Sequence, residues 1–157
     1  MEVLAVMSNR IDPRAVFDGM AQPIVMRILV VEDDPSVGAA IRMILDREGY
    51  DTVIASEADA GTRAFESVRF DLAIVDIFLP GTSGIATIAG FHRRAPATPI
   101  LAMSGFRFRD SMDPGLDFLA LATQAGAVVC LRKPFAPQQL MTAVSASLDR
   151  LRRTVAP

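Results

Sequence analysis

From residue 27 onward, short apolar runs rich in β-branched residues alternate with segments of helical periodicity, and this alternation constrains the fold most strongly. The first unit shows the pattern clearly. A β-rich run at 27–31 precedes Asp34 and Pro35, which are typical of a helix N-cap and of the first helical position. Apolar residues then recur at helical spacing until Gly49, at Val37, Ala40, Ile41, Ile44 and Leu45. The unit therefore predicts a strand followed by a helix.

The same unit recurs four more times. The later apolar runs cover 52–55, 72–75, 99–103 and 128–131. Ser56 and Asp59 form a capping pattern before the second helix. The fourth connection is irregular, and we expect a long, mobile loop at 105–115 before a helix near 116–124. Such a repeat packs as one parallel sheet between two helical layers, so the sequence predicts an α/β, doubly wound fold with five strands and five helices.

Length and composition predict a single domain. The chain has 157 residues, of which 51% are hydrophobic and 22% are charged, enough apolar surface for a globular core. Residues 1–25 show no sustained period, so we expect an N-terminal extension without regular structure, a domain over 26–153 and a tail at 154–157. Because few residues follow the domain, we expect it to stand alone.

Charge and cysteine content exclude several classes of partner. A formal net charge of −2 gives no broad positive field, so we expect neither nucleic acid nor a membrane surface as a partner. The single cysteine, Cys130, excludes an intramolecular disulfide and a cysteine-cluster metal site. No apolar run approaches the roughly 20 residues of a membrane-spanning helix. We therefore expect a cytoplasmic protein.

Polar side chains stand where the predicted strands end, which is where open parallel sheets bind ligands. They are Glu32, Asp33, Asp34, Asp76, Ser104 and Lys133. If the carboxylates of Glu32, Asp33 and Asp76 converge, Lys133 together with one divalent cation would neutralise them. Oxygen ligands without histidine or cysteine favour Mg²⁺, with Mn²⁺ as a substitute. Asp34 is explained more simply as a helix cap.

Four segments resemble the receiver domain of response regulators in two-component signalling. They are ILVVEDD at 28–34, DLAIVDIFLPGTSG at 71–84, ILAMSG at 100–105 and AGAVVCLRKPF at 125–135. The resemblance implies a flavodoxin-like fold with strand order 2-1-3-4-5. It also implies a phosphoprotein that switches between signalling states and is not an enzyme, apart from its own aspartyl phosphorylation and slow dephosphorylation.

The resemblance further implies a role for each site residue. Asp76 would be the phosphoacceptor that forms an aspartyl phosphate. Asp33 and Asp76 would bind Mg²⁺ directly, Glu32 would act through water, and the backbone carbonyl of Phe78 would add another oxygen.

Two more residues would bind the phosphoryl group. Ser104 and Lys133 would contact the phosphoryl oxygens, and Lys133–Pro134 would be a cis peptide. The partners would be a histidine kinase or histidine phosphotransferase and a downstream protein, reached by direct contact or by phosphorelay. We expect a monomer or a weak homodimer.

The sequence departs from the family pattern at two places. The fifth strand usually carries an aromatic residue three positions before the lysine, and its rotamer accompanies activation, but Cys130 stands there. The loop after Ser104 is also enlarged. Phe106 or Phe108 would then take over part of the coupling, which makes Ser104, Phe106, Phe108 and Cys130 the candidate switch residues.

Other functions remain open at this point. The missing aromatic residue is compatible with a receiver-like binding module that works without phosphorylation. A phosphatase with an aspartate nucleophile would need a second aspartate where Phe78 stands. A dinucleotide-binding enzyme is disfavoured because no glycine motif follows the first strand.

Overall fold

Strands and helices alternate along the chain as the apolar pattern predicts. The structure, a computed structural model, describes residues 23–105 and 118–155, so most of the expected extension, nearly all of the expected loop at 105–115 and the last two residues lie outside the described ranges. The strands are Arg27–Val31 (β1), Asp51–Ala55 (β2), Leu72–Asp76 (β3), Ile100–Ser104 (β4) and Val129–Arg132 (β5). The helices are Pro35–Arg47 (α1), Ala58–Ser67 (α2), Gly84–Arg94 (α3), Phe118–Ala125 (α4) and Pro137–Val155 (α5).

All five strands are parallel and form one sheet in the order β2-β1-β3-β4-β5. The doubly wound α/β prediction and the implied strand order are both confirmed. β3 lies at the centre, and all of its side chains are buried. Because the strands are parallel, their carboxyl ends share one edge of the sheet, and in the register of β3 and β4 Asp76 lies opposite Met103.

A separate hydrophobic core fills each side of the sheet. On one side α1 and α5 cover the strands with Ile41, Leu45, Leu140, Val144 and Leu148. On the other side α2, α3 and α4 pack with Phe65, Ile88, Phe91 and Ala122. The rings of Phe65 and Phe91 stack with centroids 4.2 Å apart, which joins α2 to α3. Helices on both faces explain why the central strands are continuously apolar.

The predicted start is confirmed for α1 and wrong for α2. The Asp34 cap is confirmed, since its Oδ1 accepts from the amides of Ser36 at 2.8 Å and Val37 at 3.3 Å. The capping pattern at Ser56 and Asp59 is wrong: the N-cap of α2 is Glu57, without a side-chain cap bond. The first helical residue, Ala58, is buried in the core.

The apolar residues of α1 do not all lie on its buried face. Ala40 is exposed, and the inner face runs through Gly38, Ile41 and Leu45 instead. A Cβ atom at Gly38 would lie 3.4 Å from Cγ2 of Ile54, so this residue sits directly over β2. An apolar period identifies a helix face broadly, and packing against the sheet decides which flank is buried.

Candidate functional site

The carboxyl edge of the sheet brings together polar residues that are far apart in the sequence. Glu32 and Asp33 follow β1 directly, Asp76 ends β3, Ser104 ends β4, and Lys133 follows β5. The pairing of β1 and β4 with the central strand β3 sets these positions.

The Asp76 carboxylate is buried, with 4% of the residue exposed, and both of its oxygens are engaged. Oδ1 accepts from the backbone N–H of Phe78 at 2.9 Å. Oδ2 accepts from the Lys133 ammonium at 2.9 Å. A buried carboxylate needs such partners, because burying the charge without them would destabilise the folded state by several kcal/mol.

Lys133 also holds the second buried carboxylate. Its Nζ donates to Oε2 of Glu32 at 2.5 Å, and Oε1 of Glu32 accepts from the Asp34 amide at 3.1 Å. Burial raises the pKa of Glu32, and Lys133 offsets this only in part. Burial alone would lower the pKa of Lys133, but the hydrogen bonds to Glu32 and Asp76 outweigh it and raise that pKa. Lys133 is therefore a fixed positive charge.

Asp33 completes an acidic cluster. Its carboxylate is exposed, yet oxygen atoms of Glu32, Asp33 and Asp76 all lie within 4.8 Å of one another. One ammonium faces three carboxylates, so the cluster retains an excess of negative charge. Oxygen donors at this spacing suit a hard divalent cation such as Mg²⁺. The predicted convergence of these side chains with Lys133 is confirmed.

Ser104 and Lys133 are joined through the backbone. The carbonyl of Ser104 accepts from the Lys133 amide at 2.8 Å, and Ser104 lies one residue beyond the position opposite Asp76. The Lys133–Pro134 peptide bond is cis, as the resemblance implies. These contacts place the ends of β4 and β5 beside the acidic cluster.

The switch candidates are only partly described. Cys130 is half-buried on β5, and its Sγ lies 3.9 Å from Oγ1 of Thr123 and 3.9 Å from the Leu119 carbonyl of α4. Phe106 and Phe108 lie outside the described residues.

Sequence reasoning missed two residues next to the site. Gly84 begins α3 so close to the end of β3 that a Cβ atom there would lie 2.1 Å from the Asp76 carbonyl. Phe118 begins α4 and packs edge-on against Phe78, with ring centroids 5.3 Å apart. Gly84 lies inside the segment at 71–84 that carries the resemblance, whereas no local pattern pairs Phe118 with Phe78.

The family model of the response regulator receiver domain matches residues 28–145 of this chain. The chain belongs to that family. This receiver domain is 33% identical over 124 residues to the DNA-binding response regulator MtrA of Mycolicibacterium smegmatis. The aligned region covers 79% of this chain and 51% of MtrA. The chain spans about half the length of the curated relatives it matches.

Solved structures agree with this assignment. A CheY-like response regulator receiver domain protein from Methanospirillum hungatei superimposes with a TM-score of 0.75 and 28% identity, over 83% of this chain and 99% of that one. A receiver domain protein from Clostridium thermocellum gives a TM-score of 0.73 with 26% identity, over 83% of this chain and 100% of that one. Among the described helices of this receiver domain, none combines the length and apolarity needed to cross a membrane.

Proposed function

We propose that this receiver domain is a phosphorylation-controlled signalling switch in which Asp76 accepts a phosphoryl group from a histidine kinase or histidine phosphotransferase. One observation carries the proposal: the buried Asp76 carboxylate is held between the Phe78 amide and the Lys133 ammonium, beside two further carboxylates. A pre-positioned nucleophile next to a fixed cation is what phosphoryl transfer requires, because catalysis there is mostly positioning and electrostatic stabilisation.

The acidic cluster fits a magnesium ion. Asp33 and Asp76 would bind it directly, Glu32 through water, and the Phe78 carbonyl would supply another oxygen. When bound, Mg²⁺ supplies positive charge for the phosphoryl oxygens. The excess negative charge of the cluster in the described structure supports this donor set.

The residues of the chain carry out the transfer itself. A carboxylate oxygen of Asp76 forms a bond to phosphorus while the phosphorus–nitrogen bond of a phosphohistidine breaks, and the imidazole nitrogen keeps the electron pair. Lys133 stays protonated and moves its hydrogen bond to a phosphoryl oxygen, as its raised pKa allows. The Ser104 hydroxyl donates to a second phosphoryl oxygen. Beyond this reaction and slow dephosphorylation, we propose no enzymatic activity.

The output is the finer part of the proposal. We propose that the domain acts in the cytoplasm, through contact with a downstream protein or by onward phosphotransfer. The formal net charge of −2 supports a protein partner over nucleic acid. MtrA is described as DNA-binding, and only about half of its length corresponds to this chain.

A second candidate is a receiver-like binding module that works without phosphorylation. The observation that favours it is Cys130, because the strand position that usually carries the switching aromatic residue holds a small thiol.

Intact-mass measurement distinguishes the two candidates. The protein is incubated with acetyl phosphate and Mg²⁺, and Asp76→Asn is treated in the same way. We expect one added phosphoryl group on the native protein and none on Asp76→Asn, whereas Asp51→Asn, which changes an exposed carboxylate, should be labelled like the native protein. Absence of label on every variant would favour the binding module.

A further inference from the structure

We propose that the contact between Phe78 and Phe118 carries the phosphorylation state of Asp76 to helix α4, in the role that the absent aromatic residue of β5 would play. This inference rests on the proposed function, because it needs Asp76 to be the phosphoacceptor. It makes Phe118 a positioning residue that lies outside the acidic cluster.

Phe78 contacts both ends of this route. Its backbone N–H donates to Oδ1 of Asp76 at 2.9 Å. Its ring meets the ring of Phe118 edge-on, with centroids 5.3 Å apart and an interplanar angle of 73°. Such T-shaped pairs have a preferred geometry, so a shift of one ring is felt by the other. One residue therefore joins the acceptor carboxylate to the first residue of α4.

Phosphorylation changes the hydrogen bond at the start of this route. In the described state the Phe78 amide donates to an ionised carboxylate, which is a charge-assisted bond about twice as strong as a neutral one. Once one Asp76 oxygen is bonded to phosphorus, the other becomes the neutral carbonyl of an acyl phosphate. The amide either keeps this weaker acceptor or turns to a phosphoryl oxygen. In both cases the position of residue 78 depends on the chemical state of Asp76.

Helix α4 is partly exposed, and Phe118 and Ala125 pack partly buried against the core. Among its residues only Ala122 is buried. From β5 it is contacted by Cys130, whose sulfur lies 3.9 Å from both the Leu119 carbonyl and Oγ1 of Thr123. A thiol is a weak hydrogen-bonding group and a small one. The ring of Phe78, in the segment after β3, therefore contributes to the position of the first residue of α4.

The decisive experiment measures α4 directly. Amide hydrogen exchange over 118–125 is recorded with and without acetyl phosphate and Mg²⁺, and phosphorylation is measured by intact mass in the same samples. In the native protein we expect exchange over 118–125 to change on phosphorylation. In Phe118→Leu we expect the same extent of phosphorylation and a change in exchange smaller by a factor of about three to ten, the equivalent of one aromatic pair.

Three further variants separate coupling from stability. Phe118→Tyr keeps the ring edge and should restore the response. Phe78→Leu removes the contact from the other side, keeps the backbone amide and should reduce the response as Phe118→Leu does, which covers the case in which Phe118→Leu folds poorly. Phe70→Leu removes a buried ring of the same core. Phe70 lies just before the start of β3, at the opposite end of the strand from Asp76, so this variant should respond like the native protein.

The outcomes are distinct. No label on the native protein defeats the proposed function itself. Full label with an unchanged α4 in the native protein, or with an undiminished response in Phe118→Leu and Phe78→Leu, overturns this inference and leaves the proposed function intact. A response lost equally in Phe70→Leu overturns it too, because the effect would then be one of general stability.

Discussion

Among single residues, Lys133 explains how two buried carboxylates share one edge of the sheet. Glu32 and Asp76 are 2% and 4% exposed, and one ammonium donates to both. Removing that ammonium would leave two buried anions in contact, which costs more than the loss of a surface ion pair, where the cost is only about 0–1 kcal/mol. Lys133 thus has a structural role even before any phosphoryl group arrives.

The raised pKa of Glu32 predicts a particular pH dependence of stability. The folded state holds the Glu32 proton more tightly than the unfolded state, whose pKa is near the ordinary value of 4.5. Stability therefore falls as pH rises from 4.5 through the higher, folded pKa. In metal-free buffer, we expect the free energy of unfolding of the native protein relative to Glu32→Gln to decrease over that window, as measured by urea denaturation at several pH values.

The control is an exposed carboxylate. Glu48 lies exposed at the end of α1, so Glu48→Gln removes one negative charge without removing a buried carboxylate. An increase in the difference between the native protein and Glu32→Gln with rising pH would contradict the assignment of a raised pKa.

Phe78 predicts a long-lived phosphorylated state. Its half-buried side chain lies two residues beyond Asp76, where an apolar group excludes the water that would hydrolyse the acyl phosphate. We expect Phe78→Asn to shorten the half-life of the label about tenfold, which corresponds to about 1.4 kcal/mol in activation free energy. Radiolabel retention in Mg²⁺ buffer measures this, and Phe78→Leu should retain the label like the native protein. Equal half-lives for all three proteins would contradict the water-exclusion argument.

The sequence groups the polar residues of this edge because each stands at a strand end. Glu32, Asp33, Asp76 and Lys133 can be grouped from the sequence alone, since parallel strands end at one edge. The partners of each oxygen could not be predicted in this way. The bond from the Asp34 amide to Glu32 and the ring contact of Phe78 with Phe118 depend on how the loops close, which no local pattern encodes.

Among the elements, helix α3 begins in very close contact with the end of β3. Its first residue, Gly84, donates its amide to the Ile77 carbonyl at 3.2 Å. A Cβ atom at this position would meet the Asp76 carbonyl at 2.1 Å and Cα of Ile77 at 2.4 Å, both backbone atoms that cannot turn aside. The lack of a side chain at Gly84 thus allows α3 to begin directly against the end of β3.

Two alanine substitutions in α3 should have opposite effects. We expect Gly84→Ala to lower the free energy of unfolding by about 2 kcal/mol or more, because backbone must move to accept the methyl group. Gly90→Ala should raise it by about 0.5–1 kcal/mol, since alanine favours helix over glycine and its Cβ atom would meet only Nη2 of Arg93, at 3.9 Å. Chemical denaturation measures both, and equal effects would contradict the close approach.

Element boundaries show where sequence patterns are reliable. Each predicted apolar run begins and ends within one residue of the observed strand. The strands β1, β3 and β4 are almost fully buried, whereas the edge strands β2 and β5 are only partly buried. Asp34 before Pro35 was identified as a cap, since proline fits the first helical position. The pattern at Ser56 does not mark the start of α2, whose N-cap is Glu57, because a capping pattern is a weak local signal on its own.

On the scale of the whole molecule, the strand order could not come from periodicity. Apolar alternation predicts five parallel strands and two helical layers, but which strands are neighbours depends on the path of each crossover. The order 2-1-3-4-5 followed from the family resemblance and is confirmed. It places β1 and β4 on either side of β3, so acidic and hydroxyl side chains flank Asp76.

Magnesium should stabilise the whole domain. A cation that binds the folded acidic cluster and not the unfolded chain raises stability by about 2.7 kcal/mol at a hundredfold excess over its Kd. We expect Mg²⁺ to raise the thermal midpoint of the native protein above its value in EDTA, and to do so much less in Asp33→Asn. Asp59→Asn, an exposed carboxylate on α2, should behave like the native protein.

Ionic strength needs to be matched in that comparison. Sodium chloride at equal ionic strength screens exposed charges generally and should give only a small increase. A gain from sodium chloride as large as that from Mg²⁺ would contradict a specific cation site.

The partial exposure of α4 sets how finely such a protein can be tuned. Ala122 is the one buried residue of this helix, and Phe118 and Ala125 pack partly buried against the core, so other side chains along it can change with little effect on the sheet. Signal strength in this molecule would thus be adjustable in modest increments, by exchanging one or two side chains along the helix, while the acidic site and the stability of the sheet are inherited unchanged.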